Sequence, residues 1–374
     1  MGNIVDYVEK YGYISFSEKP VCLEDVVVLC QLAYFKYDCF LKAFDDEITI
    51  EKLNDSPMRG MLVADPKYKK DGGMLLEAMA KSARFKDAVV KFYVNEVETD
   101  RGTQFSAVTF LLADRLTVTT FRGTDETMLG WQEDFALALN KPIAGQQRAT
   151  EYVTKVLKKV KGRIILGGHS KGGNLALYAG FTLPERSLRR IRKICALDAP
   201  GFRPEFIENT DYDNVKRKIL RVVPKSSVVG LLLNDAPKKI VIEAKSSGMK
   251  QHNLYNWIIK EGKLVRTEIS KGHLKALKTF NSWVLSLDEE NLERFVSILS
   301  EALDDTGAKT TVEFKENVPK YVGSLLKAAG EMDEESKKSA GEFIKSYLEF
   351  VVGNVKDEMM ESIQSSKISK FLPK

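Results

Sequence analysis

Ile164-Ile165-Leu166-Gly167-Gly168-His169-Ser170-Lys171-Gly172-Gly173-Asn174-Leu175 is the stretch on which the fold turns. A short apolar run enters a glycine-rich turn and leaves into the Ala- and Leu-rich residues 174–181, which predicts strand, turn and helix in succession. Gly168, Ser170 and Gly172 form G-x-S-x-G at that junction. There a serine sits on a sharp, strained turn that lifts its Oγ above the end of the strand. Glycines two positions to either side let strand and helix approach without Cβ clashes. The backbone N–H of Lys171, opening the helix, is directed at a developing oxyanion. A phosphate cradle is the competing reading of such a turn, but G-x-x-x-x-G-K-[ST] is absent. Ser170 therefore reads as a nucleophile.

Downstream, the apolar runs IRKICAL (191–197), KILRVV (218–223) and KKIVIEA (238–244) alternate with helical stretches, the pattern of a parallel sheet covered on both faces. Upstream, AVVKFYVNEV (88–97), QFSAVTFLL (104–112) and RLTVTTF (115–121) are β-rich and separated by short polar turns, which predicts an antiparallel meander. Between them, Val153, Val156, Leu157 and Val160 mark one apolar helix face, with Gly162 as its stop. Residues 1–85 read as helical. Leu23-Glu24-Asp25 leads into VVVLCQLAYF, and a second helix is predicted at 74–84, after an Asp71-Gly72-Gly73 break. Beyond about residue 286 the strand signal stops, and 287–303, 318–329 and 340–363 read as amphipathic helices. The expected organisation is an α/β domain over 1–285 and a helical C-terminal region over 286–374.

The 374 residues are 44% hydrophobic and 29% charged, which excludes a wholly disordered chain. Lys and Arg outnumber Asp and Glu by 57 − 52 = 5, too mild an excess to imply nucleic acid. Cys22, Cys30, Cys39 and Cys195 form no C-x-x-C pair, and the first three lie among apolar residues, as buried reduced thiols do. With three histidines in the chain, a His/Cys zinc site has almost no ligands to draw on, and no metal or cofactor is expected. MGNIVDYVEK lacks the pattern of a secretory signal, and Asp6 stands where myristoylation needs Ser or Thr. The apolar runs at 26–29 and 228–233 are too short to span a bilayer. A cytoplasmic protein is expected.

A serine nucleophile needs a base, and the base an orienting acid, in the chain order Ser, Asp or Glu, His. His169 lies inside the turn with its side chain directed away from Oγ, and is read as packing. His252 follows the run KKIVIEA in a polar loop, where a base is delivered above the sheet, and is preferred over His273, which stands at a helix start as a cap would. Asp198, at the tip of the strand after the elbow helix, is the candidate acid, with Asp235 as substitute. The competing reading of Asp198 is a turn former before Ala199-Pro200-Gly201.

The run TVTTF enters Arg122-Gly123-Thr124-Asp125, followed by Gly130-Trp131-Gln132-Glu133-Asp134. A glycine and a hydroxyl residue at a strand end can turn an N–H and an O–H toward the site. F-R-G-T with the following W-x-x-D, and then G-H-S-K-G-G, resemble the class 3 lipases, an α/β-hydrolase family. The chain looks most similar to a bacterial lipase-like branch, in which Asp6-Tyr7, Phe16-Ser17, Pro20, Asp25 and the QLAY run also have counterparts, as do Gln251-His252, Tyr255 and Trp257. The resemblance covers about residues 4–265. It implies an α/β-hydrolase fold with Ser170 as nucleophile, His252 as base, Thr124 and Lys171 as oxyanion donors, and Arg122 paired with Asp134 to brace the Thr124 loop. One departure stands out. Class 3 lipases place their acid at a stretch corresponding to Pro224-Lys225-Ser226-Ser227-Val228-Val229, which carries no carboxylate.

The expected function is a serine hydrolase acting on an ester or acyl bond of a small molecule or lipid. The alternative is a weak or inactive pseudo-hydrolase serving as a binding or scaffold protein, supported by the missing acid at Ser226 and Ser227. In the tail, Tyr321, Leu325, Phe343, Tyr347 and Val351 stand in apolar stripes beside lysines. Such stripes usually pack on a core; the other reading is peripheral contact with an anionic membrane, or a lid.

Overall fold

Eight strands lie side by side in chain order: β1 (Glu47–Thr49), β2 (Val89–Glu98), β3 (Thr103–Leu111), β4 (Thr117–Phe121), β5 (Ile164–His169), β6 (Ile191–Leu197), β7 (Ile219–Pro224) and β8 (Ile240–Ile242). The computed structural model describes residues 2–63, 69–98, 103–112, 116–124, 136–137, 141–233, 239–246, 248–269, 278, 281–282, 284–307 and 324. β1 to β4 pair antiparallel and β4 to β8 parallel, so the predicted meander feeds the predicted parallel sheet. β5 is buried along its whole length, as a central strand covered on both faces must be. This is the parallel sheet expected from the alternating runs, joined to the antiparallel meander as in the α/β-hydrolase fold that the resemblance implies.

Each parallel strand is laid beside the one before it, so right-handed crossovers put their helices on one face. The helices of eight or more residues are α1 (Ile4–Tyr11), α2 (Leu23–Leu32), α3 (Lys69–Lys81), α4 (Ala144–Lys159), α5 (Lys171–Thr182) and α6 (Glu289–Thr306). Ile164, Leu166, Ile194 and Ala196 form one core with Val153 and Val156 of α4 and Leu175 and Leu177 of α5. Ile165, Cys195, Leu197 and Val222 point the other way, into a core with Val26, Leu29 and Cys30 of α2. The N-terminal helical segment is thus the second layer over the sheet. α2 crosses β5 so closely that a Cβ on Gly167 would lie 2.9 Å from Cys30 Sγ.

α2 is held by a buried ion pair. Arg84 Nε and Nη2 donate to Asp25 at 2.7 and 2.5 Å, and its Nη1 donates to the carbonyls of Ile14 and Lys19, each at 3.0 Å. The Tyr7 hydroxyl donates to Asp25 at 2.9 Å.

Three expectations need correction. α3 starts at Lys69 rather than at 74 and runs through Gly72-Gly73. Gly72 is there for packing, since its Cβ would lie 2.4 Å from Val63 Cγ1. β1 was not anticipated, because three residues are too few to show an alternating pattern. Cys22 and Cys39 are half-buried rather than buried, although all four cysteines are free. The helix predicted at 287–303 is α6. Residues 318–323, 325–329 and 340–363 lie outside the described residues, among which no helix is long and apolar enough to cross a membrane.

Candidate active site

Ser170 joins β5 to α5 with φ 59° and ψ −132°. A non-glycine residue held there stores on the order of 1–3 kcal/mol of strain, which the surroundings must over-determine. They do so through the backbone. Ser170 N–H donates to Leu197 O at 2.9 Å, and Ser170 O accepts from Gly173 N at 2.9 Å. A Cβ on Gly168 would lie 2.1 Å from Gly172 O, and one on Gly172 would lie 2.1 Å from Phe121 O. Both motif glycines are therefore steric necessities.

Asp198 ends β6 with φ 44° and is 1% exposed. Its Oδ2 accepts from His252 Nδ1 at 2.6 Å. Its Oδ1 accepts from the Ser227 hydroxyl and from Gly230 N at 3.1 Å. A carboxylate only accepts, so Nδ1 carries the ring proton and, in the neutral ring, Nε2 is an acceptor. Ser227 belongs to the Pro224–Val229 stretch, which thus supplies a hydroxyl to the carboxylate of Asp198, and Gly230 just after it supplies the N–H. Nothing in a bare Ser-Ser pair announces that role.

His252 closes a 3-10 turn, Gly248–His252, after β8. Its neighbour Gln251 anchors the turn: the side chain accepts from Ser226 N at 3.1 Å, and the carbonyl accepts from the buried Trp257 Nε1 at 2.9 Å. His169 is more than the packing group expected. Its Nε2 donates to the main-chain carbonyl of His252 at 2.7 Å, and its Nδ1 is 2.8 Å from the Tyr34 hydroxyl. The His169 and His252 rings lie 4.4 Å apart, centroid to centroid. Ser170, through its neighbour His169, thus shares one corner with His252 and Asp198.

The Arg122-Gly123-Thr124 loop flanks that corner: a Cβ on Gly123 would lie 3.0 Å from Ser170 Cβ. Arg122 donates to Asn95 Oδ1 at 3.1 Å and, from its backbone, to Ser106 O at 3.0 Å. Asp134, its expected partner, lies outside the described residues, as do Asp125, Asp235 and His273. Lys171 opens α5, which sets its N–H beside Ser170. Its buried ammonium donates to Gln104 Oε1 at 3.0 Å and to Gln104 O at 3.2 Å.

Two further braces escaped the sequence. Asn174 of α5 donates to Gly201 O at 2.9 Å and accepts from Gln146 Nε2 at 2.8 Å, tying the loop after Asp198 to both α5 and α4. The buried Arg221 donates to Ala199 O at 3.0 Å, and burial lowers its guanidinium to about 10 against the opposing pull of Tyr212. Asn after the S-K-G-G run was the one visible hint. Among the described residues, no three His, Cys, Asp or Glu side chains are grouped to hold a metal ion.

Among solved structures, the chain is similar to M37 lipase at 11% identity and a TM-score of 0.35, covering 73% of this chain and 83% of that one. It is also similar to a candidate thioesterase from Silicibacter sp. TM1040 at 15% identity and a TM-score of 0.24, covering 52% of this chain and 78% of that one. No curated protein matches it. The Mbeg1-like family model matches residues 79–301, which is more than half of the chain and includes β2 to β8, the Ser170 turn, Asp198 and His252. The chain belongs to the Mbeg1-like family.

Proposed function

We propose that this protein is a serine hydrolase that cleaves an ester or acyl bond in a small molecule or lipid. The observation that carries the reading is the 2.6 Å hydrogen bond from His252 to Asp198 beside a serine held at positive φ. Ser170 Oγ attacks the acyl carbonyl while His252 Nε2 takes its proton. Asp198 holds the imidazole in the working tautomer and stabilises the imidazolium. The N–H groups of Lys171 and Thr124 stabilise the tetrahedral oxyanion. His252 then returns the proton to the leaving group, and water activated by the same imidazole releases the acyl group. The chemistry needs no metal or organic cofactor.

Fluorophosphonate labelling of the full chain, read by intact mass, tests this. Wild type is expected to gain one adduct that Ser170→Ala and His252→Ala lose. A folded wild type that stays unlabelled, also in detergent, would overturn the reading and favour a binding module.

A further inference from the structure

We propose that Tyr34 and His169 are positioning residues of this site: the Tyr34 hydroxyl anchors the His169 ring, and His169 in turn carries the main chain of His252. The inference rests on the hydrolase reading for its effect on rate, but not for its geometry.

The argument starts from the acceptor. A carbonyl oxygen cannot donate, so the 2.7 Å contact between His169 Nε2 and His252 O requires the proton on Nε2. In a neutral ring Nδ1 is then the acceptor, and the Tyr34 hydroxyl 2.8 Å away is the donor that satisfies it. Moving the ring proton to Nδ1 would break the bond to His252, even though the Tyr34 hydroxyl could turn to accept. The His252 carbonyl thus selects the tautomer, and the Tyr34 hydroxyl anchors the ring at its other nitrogen.

The anchored ring is placed to serve the whole corner. Tyr34 follows α2, and a Cβ on Gly123 would lie 2.4 Å from its hydroxyl oxygen and 2.7 Å from His169 O. Tyr34 therefore packs where three segments meet: the Gly123 loop, the Ser170 turn and, through His169, the His252 turn. Asp198 orients the His252 ring from its Nδ1 side, and His169 holds the backbone that carries the ring. The N-terminal layer contributes to the chemistry in this way through Tyr34.

The test uses the full chain with 15N-labelled histidine, which gives three side chains to assign. In wild type, the His169 nitrogens are expected to show a protonated Nε2 and an unprotonated Nδ1. Tyr34→Phe is expected to shift the His169 Nδ1 resonance, which loses its hydrogen bond, and to slow fluorophosphonate labelling about tenfold, with kcat rather than KM falling on a p-nitrophenyl ester. His169→Gln, whose amide can donate to His252 O and accept from Tyr34, is expected to label faster than His169→Ala. A His169 protonated at Nδ1 in wild type overturns the proposal. So does a folded Tyr34→Phe with an unchanged Nδ1 resonance and labelling rate. A wild type that does not label at all overturns the hydrolase reading instead, and the nitrogen resonances still decide the anchoring.

Discussion

Asp198 Oδ2 and His252 Nδ1 stand 2.6 Å apart although the two residues are separated by 54 positions. Asp198 ends β6 and His252 follows β8, so their hydrogen bond passes over the end of β7. Ser227, in the loop after β7, is there to donate to the same carboxylate. Asp198 thus stands one strand before the loop that donates to it.

Asp198→Asn presents an amide in place of the carboxylate and favours the wrong tautomer of His252. Fluorophosphonate labelling is expected to slow on the order of 10⁴-fold, with the thermal melt showing a folded protein. Labelling at the wild-type rate would remove Asp198 from the mechanism.

Ser227→Ala takes one donor from Asp198 Oδ1 while Gly230 N–H stays. A cost of about 1–2 kcal/mol is expected for a lost hydrogen bond to a buried charge, read as roughly tenfold slower labelling. Gly230→Ala should be worse, because its Cβ would lie 2.3 Å from Asp198 Oδ1. Equal rates for the two variants would contradict this ordering.

Gly168→Ala and Gly172→Ala drive a methyl group into backbone atoms 2.1 Å away, which no side-chain rotation relieves. Either substitution should cost about 4 kcal/mol or more. Urea unfolding midpoints measure it, and a loss below 1 kcal/mol would mean that the turn is looser than described.

Arg84→Met leaves Asp25 buried without its cation and should destabilise by about 3–5 kcal/mol. Exchanging both residues, as Asp25→Leu with Arg84→Met, should recover much of that loss. A double variant as unstable as the single one would show that the carbonyl contacts of Arg84, rather than the ion pair, hold α2 in place.

Burial pushes the Cys195 thiol from its ordinary value near 9 up to about 12, against the opposing pull of Lys193. Burial, followed by the Asp25 carboxylate, pushes Cys22 to about 12 as well. Above pH 9 the unfolded chain has lost these protons while the folded chain keeps them, so stability falls with rising pH. The contribution is complete below about pH 9 and is lost as pH rises toward 12. Urea titrations at several alkaline pH values should show a shallower decline for Cys195→Ala than for wild type.

Local signals along the chain were sufficient for the class of fold and for the nucleophile candidate. Short apolar runs alternating with helices imply a buried parallel sheet, and G-x-S-x-G imposes a backbone geometry that Ser170 does adopt. Asp198 and His252 were legible as candidates because each follows an apolar run, at the sheet edge where polar groups converge. What covers the second face of the sheet could not be read, since α2 is buried nearly all round and carries no directional pattern. Nor could the roles of Ser227, Tyr34, His169 and Asn174. Hydrogen bonds between residues dozens of positions apart depend on how strands are ordered and how loops close over them. Sequence periodicity reports only which way a residue faces along its own element, so only the tertiary structure decided which donor met which acceptor.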